Sequence, residues 1–140
     1  AVWPAGERVM VAIDDDPHSQ DLIRRAWRLA QRRQSDLVAV FVETPAWAHA
    51  APEAKRRLEE HFRLAEDLGA ECLRIRADDV ATALAQVAHE KNVDSIVVGH
   101  SRHGRLHELL HGSIVNKLLR LTRDVDVHVV AKRRSQSDRR

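Results

Sequence analysis

The chain has 140 residues, a length that fits one domain, with 44% hydrophobic residues to fill a core and 31% charged residues to cover it. Net charge is only +2, and residues 132–140 alone carry +4, so the rest of the chain carries −2. That balance, with no basic stripe interleaved with aromatics, argues against nucleic acid as a partner. No apolar run approaches the roughly 18 residues of a membrane span. The single Cys72 excludes an internal disulfide and suits a reducing compartment. The chain opens at Ala1 without a leader pattern, which reads as a cut from a longer protein or a processed start.

Residues 1–8, with Trp3-Pro4-Ala5-Gly6, read as a linker end. Val9 to Ile13 is continuously apolar, as a strand buried on both faces would be. It stops at Asp14-Asp15-Asp16-Pro17, and a helix begins near Pro17 to Ser19. Its apolar stripe is Leu22, Ile23, Ala26, Leu29 and Ala30, with Arg24, Arg25, Arg28, Arg32 and Arg33 mostly on the wet side. Asp15 and Asp16 read as solvent-facing charge at the helix start.

Leu37 to Val42 is a second buried strand. Residues 46–52, holding Trp47, read as a loop or flap. A second helix runs from about Pro52 to Leu68, with Leu58, Phe62, Ala65 and Leu68 inward and Gly69 as its closing glycine. Cys72 to Arg76 alternates polar and apolar, as an edge strand does. Asp78 or Asp79 caps a third helix with the stripe Val80, Leu84, Val87 and Ala88. Ser95 to Gly99 is a fourth strand. A basic, glycine-punctuated loop follows, and Gly112-Ser113 opens a fourth helix through Ile114, Val115, Leu118 and Leu119. Asp126 to Ala131 is a second edge candidate, and residues 132–140 form a basic tail.

Strands alternating with helices give an α/β fold, a five-stranded parallel sheet with helices on both faces. Ligands of such sheets bind beyond the strand carboxyl ends at the topological switch. Asp14, Val42 and Gly99 all end strands, so they are candidates for one crevice. A strand, a glycine loop and a helix N-terminus together make an anion site. Gly99, Gly104, Gly112 and Ser113 fit a phosphate cradle, and equally fit ordinary turns with an N-cap serine. Arg102 and Arg105 are candidate phosphate partners, or a solvated basic loop. Asp14 is a candidate for a ribose hydroxyl, or a carboxylate at a helix start. Arg105 and Leu106 stand where a P-loop needs Lys and Ser or Thr, so the parts for ATP hydrolysis are missing. The histidines 100, 103, 107 and 111 read as polar loop residues rather than a metal set, and no base–nucleophile pair or metal site is assigned.

These motifs together resemble the universal stress protein family. Its pattern of Gly, two residues, Gly, nine residues, Gly, then Ser or Thr reads here as Gly99, Arg102 in the second glycine position, Gly112 and Ser113. Asp14 in Val11-Ala12-Ile13-Asp14 matches the family's first-strand Asp, and Val42 its adenine-contacting position. The stretches Phe41 to Pro45, Ala65 to Glu71, and Gly112 through Val130 are similar to the stress-protein-like domain of the KdpD family of potassium-responsive sensor histidine kinases. The resemblance covers about residues 8–132. It implies a universal stress protein-like domain over 9–131 in the cytoplasmic portion of an inner-membrane protein, with 132–140 as a juxtamembrane tail. It implies a regulatory rather than catalytic domain that needs no cofactor and binds ATP or cyclic di-AMP. The implied nucleotide set is Asp14, Val42, Gly99, Ser101, Arg102, Arg105, Gly112, Ser113 and Ile114. The other cytoplasmic domains of the kinase are implied partners. The alternative is a non-binding docking or dimerisation module of the same fold, pairing through its edge strand.

Overall fold

A computed structural model describes residues 8–100 and 114–131. β1 is Arg8–Ala12, α1 Ser19–Arg33 and β2 Asp36–Glu43; a short 3-10 helix spans Pro45–His49. α2 is Pro52–Asp67, β3 Glu71–Arg76, α3 Val80–Glu90 and β4 Val93–His100. The next helix, α4, is described over 114–121, and β5 is Asp126–Ala131. All four strand pairings are parallel, in the order β3-β2-β1-β4-β5.

Alternation along the strands sorts the core into two layers. Val9, Val11, Leu37, Ala39, Phe41 and Val97 face Leu22, Ile23 and Ala26 of α1 and Leu58, Phe62 and Ala65 of α2. Met10, Val38, Val40, Val42, Ile96 and Val98 face Leu84, Val87 and Ala88 of α3 and Leu118 of α4. The central strands β1, β2 and β4 are therefore apolar on both faces. β3 and β5 hold the edges, as their alternating patterns predict, and Val129 stays 48% exposed.

Helix ends follow local chemistry. Asp79 caps α3, its carboxylate accepting from the Thr82 amide at 3.3 Å. Gly69 closes α2 with φ +88°, a conformation that a Cβ disfavours. Gln34 ends α1 in the same left-handed region, its N–H meeting the Ala30 and Gln31 carbonyls.

Several expectations change. The segment after β2 is a 3-10 helix rather than a loop or flap, and Trp47 packs edge-on against Phe41 with centroids 4.9 Å apart. Leu119 is 52% exposed and off the core-facing stripe, which Leu118 occupies. Arg33 is not merely wet: it donates to the buried Ser95 hydroxyl and pairs with Asp94 at 3.7 Å. Among the described residues, no helix is long and apolar enough to cross a membrane.

Candidate functional site

Parallel pairing puts the predicted strand-end residues at the same carboxyl end of the sheet. Ala12 pairs with Val40 and Val11 with Val97, and the Ile13 amide continues the ladder by donating to Val40 O at 2.9 Å. Asp14 follows two positions past Ala12, Val42 two past Val40 and Gly99 two past Val97, at the carboxyl ends of neighbouring strands. The gap between β1 and β4 is the switch point, because the chain leaves β1 through α1 on one face and β4 through α4 on the other.

Asp14 sits half-buried where β1 turns into α1. Its Oδ1 accepts from the Asp16 amide and the Ser19 hydroxyl, each at 2.9 Å. Its own amide donates to Ser19 Oγ at 3.3 Å. Ser19 is 3% exposed, so this short network is shielded at the base of α1. Asp16 is buried as well, not solvent-facing, and accepts from the His18 amide at 2.8 Å. Such carboxylate-to-amide bonds two residues ahead fix the loop conformation.

Two α2 residues absent from the sequence reading reach this loop. His61 Nδ1 lies 2.9 Å from the Asp14 carbonyl, and Arg57 Nε donates to the Asp15 carbonyl at 2.6 Å. The Arg57 guanidinium also lies 3.7 Å from the Asp15 carboxylate. Partners more than forty positions away leave no spacing signature. The one hint is a histidine inside the apolar stripe Leu58, Phe62 and Ala65.

Val42 is 8% exposed and belongs to the core layer under α3 and α4. Gly99 has a packing reason of its own: a Cβ there would meet Leu22 Cδ2 of α1 at 3.4 Å. Ile114 is half-buried at the first described position of α4. Ser101, Arg102, Arg105, Gly112 and Ser113 lie outside the described residues, as do His103, His107 and His111.

Beside the strand ends, an open cavity of about 540 Å³ is lined by Glu43, Thr44, Pro45, Arg76 and Asp78, among others. Glu43 and Arg76 pair across it at 3.2 Å. On the far side, Lys117 of α4 reaches Asp79 at 2.5 Å. That bond, then the Thr82 hydroxyl, holds the Asp79 carboxyl below the usual carboxylate range. Burial, then the charge of Glu66, pushes the Cys72 thiol up to about 11, which leaves it protonated. Among the described residues, no group of three or more His, Cys, Asp or Glu stands close enough to hold a metal.

Comparison with known proteins bears on this geometry. Residues 6–131 match the Universal stress protein family. The Sensor protein KdpD of Mycobacterium tuberculosis (strain CDC 1551 / Oshkosh) is 37% identical over 131 residues, covering 93% of this chain. The chain spans only 15% of that sensor protein's length. A universal stress protein solved in complex with cAMP superposes with TM-score 0.68 at 23% identity, over 91% of this chain and 98% of the other. A universal stress protein from Archaeoglobus fulgidus, solved in complex with dAMP, gives TM-score 0.57 at 19% identity, over 87% of this chain and 95% of the other. With the five-stranded parallel sheet, its strand order and a family match over nearly the whole sequence in agreement, the chain belongs to the universal stress protein family.

Proposed function

We propose that this chain is the cytoplasmic nucleotide-sensing domain of a KdpD-type, potassium-responsive sensor histidine kinase in a two-component system. The observation that supports the reading is that β2, β1 and β4, at whose carboxyl ends Val42, Asp14 and Gly99 stand, are neighbouring parallel strands flanking the switch point. The similarity to a sensor protein, and the relatives solved with cAMP and dAMP, support an adenine nucleotide as ligand. ATP or cyclic di-AMP lies with its adenosine end across Asp14 and Val42. In this reading its phosphate oxygens are met by Gly99, Ser101, Arg102, Arg105, Gly112, Ser113 and Ile114, since helix N-termini and guanidinium groups favour negative oxygen.

The domain acts by regulation rather than catalysis. A ligand with different affinities for two packings of this domain against the rest of the kinase shifts their populations. In this reading the basic residues of 132–140 make a juxtamembrane segment on the cytoplasmic side. Calorimetry with ATP and with cyclic di-AMP tests the reading: binding by either supports it, and silence at millimolar ligand removes it.

A second reading keeps the fold as a docking or dimerisation module. Leu119 and Val129 favour it, lying exposed in α4 and on the β5 edge. Arg102→Gly separates the two. A variant that gains ATP binding absent from the parent chain supports the docking module.

A further inference from the structure

We propose that His61 and Arg57, one turn apart on α2, are positioning residues that fix the orientation of Asp14; the inference rests on the reading of Asp14 as a ligand contact. Only a protonated ring nitrogen can meet a carbonyl oxygen. The 2.9 Å approach of His61 Nδ1 to Asp14 O therefore makes Nδ1–H the donor. The ring is fully buried, and Nε2 has no hydrogen-bond partner among the described residues. An imidazole there costs more desolvation than the leucine that the stripe Leu58, Phe62 and Ala65 would otherwise accept. The described structure offers one compensation, the bond to Asp14.

That bond completes a set. The Asp14 carbonyl is held by His61, its Oδ1 by the Asp16 amide and Ser19, and the next carbonyl by Arg57. β1 delivers Asp14 to the switch point, and α2 holds the backbone of the turn there. A ligand-binding carboxylate is effective when its supporting groups are locked in this way.

Two substitutions at His61 oppose packing and positioning. His61→Asn keeps a donor where Nδ1 stood but leaves a void. His61→Leu fills the space but removes the donor. ATP titration of the 140-residue chain is expected to show His61→Asn near the parent affinity. His61→Leu should bind about tenfold more weakly, the scale of one hydrogen bond. The reverse order, with His61→Leu the better binder, overturns the inference.

Amide hydrogen exchange at Asp16 and His18 reads the same claim without ligand. These amides should exchange about tenfold faster in His61→Leu than in His61→Asn. Equal rates overturn the inference even if ATP binds. A parent chain that ignores millimolar ATP removes the nucleotide reading, and the exchange comparison then decides the positioning claim alone. Should neither His61 variant fold, Arg57→Met takes their place on the half-exposed flank of α2. Faster exchange at Asp16 and His18 supports the inference, and unchanged exchange overturns it.

Discussion

The Lys117 ammonium lies 2.5 Å from the Asp79 carboxylate, so the helix after β4 is tied to the residue that caps the helix after β3. Both helices cover the same face of the sheet, and the ion pair bridges their N-terminal halves. Asp79→Ala removes the cap and the bridge together and should cost about 1 kcal/mol in urea unfolding at neutral pH.

The same pair sets a pH dependence. Asp79 has a folded pKa below its ordinary 3.8, so its contribution is fully present above that value. It is lost as pH falls through the depressed folded value. The stability difference between the parent chain and Lys117→Met should therefore persist at pH 7 and shrink below about pH 3.8, as measured by urea midpoints across that range.

Cys72 supplies a chemical test of the β3 edge. With its thiol pushed up to about 11 from 9.0, the thiolate fraction near pH 8 falls by about 100-fold. Iodoacetamide should label the native chain slowly and the urea-unfolded chain readily. Mass spectrometry before and after denaturation checks it, and equal labelling would contradict the packed environment.

Gly69 and Gly99 separate two uses of glycine. Gly69→Ala forces a side chain into φ +88° and should lower stability by about 1 kcal/mol or more, although a Cβ there meets nothing within 4 Å. Gly99→Ala keeps an ordinary backbone and presses on Leu22 at 3.4 Å, a contact that the flexible leucine end can relieve. Its cost should stay below about 1 kcal/mol. Denaturation midpoints read the two effects apart.

Much of this architecture was legible in the residues. Continuous apolar runs at Val9 to Ile13 and Leu37 to Val42 marked strands covered on both faces, and the alternation around Arg74 marked an edge. Those signals survive because burial dictates them directly. The segment Pro45–His49 was not legible: five residues are too few for a periodicity, and Trp47 is fixed by Phe41, a partner in the sheet. Leu119 fell into the apolar stripe by spacing, yet the helix turns it outward beside Leu118. Near the candidate site, the strand-end positions of Asp14, Val42 and Gly99 were legible, because the apolar runs stop there. His61 and Arg57 were not, because their partners lie 47 and 42 positions away and only the folded chain brings them together.

The strand order carries a consequence for how the molecule is made. Arg8 pairs with Asp36 on one side and with Val93 on the other. A ribosome delivers β1, β2 and β3 with α1 and α2 long before β4, enough to close one layer of the core. Until Val93 to His100 emerges, the inner flank of β1 stands bare, with a row of amides and carbonyls open to any passing strand. A strand made after β1, β2 and β3 is thus what seals the middle of the sheet, and nascent chains halted before it carry a sticky seam where the folded domain has its most sheltered strand.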